Sequence, residues 1–234
     1  MSIGQQGVGK LRSGDKRTPL GVYFITEQLD TSRLHEKYGI AAFPLDYPNA
    51  WDQREGRGGD GIWVHGVDAR AGKRPARDTD GCIALANIDL TRLLPEFEDN
   101  VTPVLVTRHV DWVRAAENEA LRAELEERIA EWAASKASGD LYTFLSLYDD
   151  AFGRWGMDKA EWSSFILQTA SQHGHGEVST SELLLLAYPD EAGLYFSRFR
   201  QSIKENDREL ASTVRLYWRR DAAGNLKIIV EDAG

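Results

Sequence analysis

At 234 residues, with 42% hydrophobic and 28% charged residues, the chain has the composition of an ordinary globular protein and room for one large domain or two modest ones. A formal net charge of −9 removes the electrostatic footprint expected of a nucleic-acid binder. The single cysteine excludes an internal disulfide, and no stretch approaches the ~20 apolar residues of a transmembrane helix. Met1 to Gly7 lacks the basic start and apolar run of a signal peptide, so the chain reads as cytoplasmic or as one whose export signal lies outside it.

Charge divides the chain. Residues 1–106 carry 13 Lys and Arg against 15 Asp and Glu, while residues 107–234 carry 15 against 22. The first part is rich in Gly and Pro with short apolar runs. Val22 to Ile25, Gly61 to Val64 and Val101 to Thr107 read as strands, because β-branched and aromatic residues suit a pleated, half-buried surface. Thr18-Pro19-Leu20-Gly21 is a turn before the first strand. Thr31 to Tyr38 reads as a short helix stopped by Gly39. Asp52 to Asp60 is a polar, Gly-rich loop. Asn87 to Leu94 reads as a second helix, capped by Asn87 and closed by Pro95.

Residues 111–136 contain no Gly or Pro, and Trp112, Ala115, Ala116, Leu121, Leu125, Ile129 and Trp132 recur near helical spacing. This predicts one long helix that connects two units and packs a single stripe. After Ser138-Gly139, Leu141 to Phe152 and Lys159 to His173 read as amphipathic helices. Extended segments follow at Glu177 to Ala187, Gly193 to Glu205, Glu209 to Arg219 and Leu226 to Glu231, with a hairpin turn at Asp221 to Asn225. Helices followed by an antiparallel sheet predict an α+β unit.

The chemistry concentrates at Thr79-Asp80-Gly81-Cys82, seventeen residues after His65. A free cysteine is most often a small buried hydrophobe. Here a Gly precedes it, which admits close backbone approach, and the Asp80, Gly81 and Cys82 amides are consecutive donors for an oxyanion. A helix soon afterwards would lower the thiol pKa. His65 ends a predicted strand, where it is held rigidly and can serve as base to the Cys82 nucleophile. No third acid is apparent, so the Gly66 carbonyl is the nearest group to orient the imidazole. Arg70, Lys73, Arg74 and Arg77 lie between His65 and Cys82, placed either to receive substrate carboxylates, with Thr79, or simply to solvate a loop. His35 and His109 read as surface residues. His173-Gly174-His175 lacks further clustered ligands and reads as a helix end, so no metal site is expected.

The run His65-Gly66 … Thr79-Asp80-Gly81-Cys82 resembles the catalytic domain of the L,D-transpeptidase (YkuD-type) family, whose motif is HG, a spacer, then [S/T]-x-G-C. Gly14-Asp15-Lys16-Arg17-Thr18-Pro19-Leu20-Gly21-Val22-Tyr23 resembles the family's G-D-x-x-T-P-x-G-x-Y segment. The resemblance covers about residues 1–107 and implies action on peptidoglycan stem peptides. Cys82 would attack the carbonyl at the L-centre of a diamino acid, commonly diaminopimelate, and His65 would take its proton. Gly66 would orient the imidazole, and Asp80, Gly81 and Cys82 would form the oxyanion hole. No cofactor is implied. Many cross-linking members carry Arg two residues after the Cys, where this chain has Ala84, and His at the position of Asp80. Phe43 to Asn49 with Asp52 resembles the branch that includes murein L,D-carboxypeptidases. Hydrolysis is therefore expected ahead of L,D-transpeptidation, with an inactive murein-binding module as the reading from another class. The strands that usually precede the Gly14 segment are missing, so the chain is expected to begin inside the domain.

The second unit resembles the nuclear transport factor 2-like fold by pattern, best at the hairpin from Val214 to Val230. In L,D-carboxypeptidases of curved bacteria such a domain follows the catalytic one. The resulting expectation is a β-rich L,D-transpeptidase-type domain over 1–107, a linker helix over 108–137 and a nuclear transport factor 2-like α+β domain over 138–234. The enzyme would be exported to the periplasm or envelope. A cone-shaped sheet in its accessory domain can hold a small ligand or pair as a homodimer, with a packing or docking module expected ahead of a second active site.

Overall fold

The computed structural model describes residues 1–70, 74–110, 112–170, 176–205 and 208–233. The chain divides into two compact units, Met1–Val110 and Asp111–Gly234.

The first unit is built from short strands: β1 (Ile3–Gly4), β2 (Gly21–Phe24), β3 (Ala42–Pro44), β4 (Trp63–His65), β5 (Arg77–Thr79), β6 (Ile83–Ala84) and β7 (Pro103–Val106). Helices α1 (Ala50–Arg54) and α2 (Asn87–Leu93) complete it. β3 pairs antiparallel with β4, β4 parallel with β6, β2 antiparallel with β7 and β1 parallel with β5. Tyr23, Ile25, Phe43, Leu45, Ile62, Val64, Ile83 and Leu90 form the core. Two expectations change here. The predicted helix over Thr31 to Tyr38 is two 3₁₀ turns, Thr31–Arg33 and Glu36–Tyr38, although Gly39 ends the second as expected, at φ +66°. Asn87 is not a cap, because the helix starts after Ala86. The Asn87 amide instead exchanges hydrogen bonds with the Val67 backbone, 2.9 Å each way.

The second unit contains α3 (Glu119–Ser138), α4 (Leu141–Ser146), β8 (Tyr148–Arg154), β9 (Met157–Asp158), α5 (Lys159–Ala170), β10 (Glu177–Ala187), β11 (Leu194–Glu205), β12 (Arg208–Arg220) and β13 (Leu226–Ala233). The last four match the predicted extended segments to within two residues. The sheet order is β10-β11-β12-β13-β8-β9. It is mixed rather than purely antiparallel, since β8 joins β13 in parallel. The long helix begins at Glu119, not at 111, and Trp112 before it is 92% exposed. Its stripe of Leu125, Ile129 and Trp132 packs with Phe199, Trp218 and Ile228, so the helix read as a connector belongs to this unit's core. It ends where Gly139 takes φ +71°, a conformation that favours glycine.

The helix predicted over Leu141 to Phe152 stops at Ser146 and gives way to a strand. Tyr148 and Phe152 are both buried. Residues four apart share a face in a helix and in a strand alike, so their spacing does not separate the two. The pairing with β13, fixed by distant sequence, decides it. The predicted metal-free His173-Gly174-His175 segment lies outside the described residues, as does the expected end of α5. Among the described residues no helix is long and apolar enough to cross a membrane.

Candidate active site

His65 closes β4, and Val64 and His65 face Ile83 and Ala84 across the parallel β4–β6 pair. Cys82 immediately precedes β6. The nucleophile candidate thus sits at the entrance to the strand that pairs with the one ending in the base candidate. The Cys82 sulfur is 3.4 Å from the Gly61 carbonyl and is also approached by the Trp63 N–H, so it rests against the backbone that leads into His65.

The imidazole is 3% exposed, and its Nδ1 lies 2.6 Å from the Gly66 carbonyl. A carbonyl can only accept, so Nδ1 carries the proton and Nε2 is left as a lone-pair acceptor. Burial, opposed by that hydrogen bond and aided by the charges of Arg74 and Lys37, pushes the His65 pKa down to about 4. The imidazole is therefore neutral at physiological pH. Burial also pushes the Cys82 thiol above its ordinary pKa, against the Trp63 N–H and the charges of Lys37 and Arg74 that lower it. This reverses the expectation of a helix-lowered thiol: β6 intervenes, and α2 starts five residues later. The resting pair is a neutral thiol and a neutral imidazole.

Gly66 is required by space. A Cβ there would lie 2.4 Å from Asn87 Oδ1 and 3.0 Å from the Ile40 nitrogen. The two motif segments meet at the cysteine turn. Thr18 Oγ1 accepts from the Gly4 N–H and donates to the Gly81 carbonyl, both at 2.9 Å and both buried. Gly81 has φ +137°, and a Cβ on it would come within 2.8 Å of the Arg17 carbonyl. Asp15 organises the loop before Thr18. Burial raises its pKa, but N–H donors from Leu11, Arg12 and Arg17 and the Lys10 ammonium outweigh that and hold it well below the carboxylate range. Replacing Thr18 with Val strands two buried backbone groups at about 1–3 kcal/mol each. The urea midpoint of the first unit should fall accordingly, and an unchanged midpoint would refute this account of the turn.

The segment around Asn49 also serves as scaffold. Asn49 Nδ2 donates to the Val22 carbonyl at 2.9 Å, and the Tyr23 hydroxyl lies 3.0 Å from Asp52 Oδ2. Burial raises the fully enclosed Asp52 carboxyl to about 6, against its Tyr23, Arg57 and Asn49 contacts.

The remaining predicted site residues separate. Thr79 is buried, and its hydroxyl donates to the Cys82 carbonyl at 2.7 Å and accepts from the Gly81 N–H at 3.2 Å. It shapes the turn that carries the cysteine. That contact also engages the Gly81 amide, one of the three expected oxyanion donors. Asp80 is exposed and 3.8 Å from Lys16. Arg70 pairs with Glu36 and Asp68, and Arg77 lies against Gly7, 3.7 Å from the position a Cβ would take there. Arg74 alone of these cations acts on both Cys82 and His65, held by Asp78 Oδ2 at 2.9 Å. Lys73 lies outside the described residues.

Sequence reading missed Trp63, Tyr38 and Lys37. The Tyr38 ring meets His65 edge-on at 5.1 Å and Trp63 at 4.8 Å, and Lys37 Nζ sits 4.9 Å from the Tyr38 centroid. Trp63 was detectable, since strand alternation puts it on the same face as His65. Tyr38 and Lys37 come from a distant turn and gave no local signal. Among the described residues no group of His, Cys, Asp and Glu is arranged to hold a metal.

With this geometry, residues 1–106 match the profile of the L,D-transpeptidase catalytic domain (YkuD), and residues 124–232 match the Cds6 C-terminal NTF2-like domain. The chain therefore joins a peptidoglycan-modifying domain of the YkuD family to an NTF2-like domain. Among solved structures it is similar to the helical cell shape determining protein Pgp2 from Campylobacter jejuni, at 26% identity and a TM-score of 0.78, over 99% of this chain and 80% of that one. It also shares its fold with Bd1075 of Bdellovibrio bacteriovorus, at 24% identity and a TM-score of 0.76, over 99% and 80% of the two chains. A search of curated proteins found no match.

Proposed function

We propose that the first unit hydrolyses peptidoglycan stem peptides at the L-centre of diaminopimelate through a Cys82 acyl-enzyme, in the cell envelope. The observation that carries this reading is the Nδ1 contact of His65 to the Gly66 carbonyl, which presents Nε2 as the acceptor beside the cysteine strand. Nε2 takes the Cys82 proton as sulfur adds to the scissile carbonyl. The Gly81 amide is engaged by Thr79, so the oxyanion falls to the amides of Cys82 and Asp80. The imidazolium then protonates the leaving amine as the C–N bond breaks and a thioester remains. Water, deprotonated by His65, attacks the thioester. The acid product leaves and the thiol is restored. Arg74, half-buried and fixed by Asp78, receives a substrate carboxylate.

Ala84 supports water as the acceptor, because the Arg found there in many cross-linking members is missing. Incubating the full chain with defined tetrapeptide muropeptides tests this. Tripeptide with free D-Ala is the expected product. Cross-linked dimers would assign transfer in place of hydrolysis, and unchanged muropeptide would overturn the enzymatic reading.

A further inference from the structure

We infer that Lys37, carried over the Tyr38 ring beside His65, receives a carboxylate of the stem peptide next to the scissile carbonyl. The inference rests on the peptidoglycan-peptide chemistry proposed for this site and names a group that chemistry had not used.

The backbone that bears Lys37 is pinned. Its N–H donates to His35 Nδ1 at 3.2 Å, and the 3₁₀ turn closes on Gly39, where a Cβ would lie 2.4 Å from the Val67 nitrogen. Two residues after Lys37, the chain is therefore locked against the segment that follows His65. Lys37 itself, by contrast, is exposed. Its one ring contact, at 4.9 Å from the Tyr38 centroid, sets it on the aromatic wall formed with Trp63 beside the imidazole. The neighbouring carboxylates are already engaged. Glu36 and Asp68 both engage Arg70, and Arg74 is held by Asp78. Among the described residues no carboxylate pairs with Lys37. A cation fixed at a reaction site with no internal partner is complementary to an anionic substrate.

The sign of its influence agrees. The Lys37 charge opposes imidazolium formation at His65. A substrate carboxylate seated on the ammonium cancels that opposition just when His65 must accept a proton, so recognition and proton transfer favour one another. A stem tetrapeptide offers two carboxylates near the scissile bond: the side-chain carboxylate of the diamino acid and the terminal carboxylate of the leaving residue.

The test is calorimetric binding to the full chain carrying Cys82→Ala, with and without Lys37→Met. Three tetrapeptides are compared: the free acid, the diaminopimelate side-chain carboxamide and the C-terminal carboxamide. Lys37→Met should weaken the free acid at least tenfold and leave unchanged the one carboxamide that lacks the partner, which identifies the carboxylate. Lys37→Arg should recover most of the affinity. Equal weakening of all three peptides, no weakening of any, or no binding of the free acid would overturn the inference. Failure of the enzymatic reading shows separately, as a Cys82-intact protein that binds with Lys37 dependence and cleaves nothing.

Discussion

Cys82→Ala should abolish turnover of tetrapeptide muropeptides, and His65→Gln should lower kcat/KM by about 10²–10⁴-fold, the range of a lost general base. The pH dependence separates the neutral pair from an ion pair. Burial lowers His65 to about 4 and raises the Cys82 thiol above its ordinary value. A base works only when unprotonated, so kcat/KM should rise as pH increases through about 4 and stay level across neutrality. A thiol raised by burial carries less thiolate at pH 7 than an ordinary cysteine. Alkylation of Cys82 by iodoacetamide should therefore be slow at neutral pH and accelerate on the alkaline side. A preformed thiolate–imidazolium pair would alkylate at a nearly constant rate between pH 5 and 8, and that result would overturn the assignment. His65→Gln keeps a polar group near Gly66 but offers no titrating acceptor, so the low-pH limb should disappear with the rate.

What the sequence made legible follows from range. The motif residues Gly14 to Tyr23 and His65 to Cys82 were visible as a pattern, and the structure gives them a physical basis. Thr18 ties the first segment to Gly81 of the second, and Gly66 is the only residue type that fits under Asn87. Extended segments of the second unit were clear because β10 to β13 are long and bounded by turn residues. The errors have a common origin. Tyr148 and Phe152, four apart, fit either secondary structure until β13 supplies a partner. The Thr31 to Tyr38 segment, read as one helix, is two 3₁₀ turns, because the chain between them is extended at Leu34 and His35. Tyr38 and Lys37 reach His65 through tertiary packing alone.

Glu231→Ala should destabilise the second unit by about 3–5 kcal/mol, the range for breaking a buried ion pair from one side. Glu231 lies on β13, where it pairs with Arg154 of β8 and accepts from the Tyr148 hydroxyl at 2.5 Å. The Trp132 Nε1 donates in turn to the Tyr148 oxygen at 3.0 Å, which carries the network from the sheet to α3. The side chain of Arg154 is 9% exposed and lies over the Trp162 ring at 4.7 Å. Its Nε finds no partner among the described residues, so the Glu231 contact is its chief compensation. Removing the carboxylate leaves a guanidinium with little water and a phenolic O–H without its acceptor. Glu231→Gln retains an acceptor for Tyr148 and should cost less than the alanine variant. Replacing Glu231 and Arg154 together with Leu should recover stability, because the uncompensated charge is gone. Urea unfolding of the full chain carrying Trp51→Phe and Trp63→Phe, followed by tryptophan fluorescence, reads the second unit, where Trp132, Trp162 and Trp218 are buried. A Glu231→Ala midpoint equal to that of the unmodified protein would show that Arg154 finds another anion or reaches water. The β8–β13 junction would then be held by apolar packing of Tyr148, Phe152 and Ile228 alone.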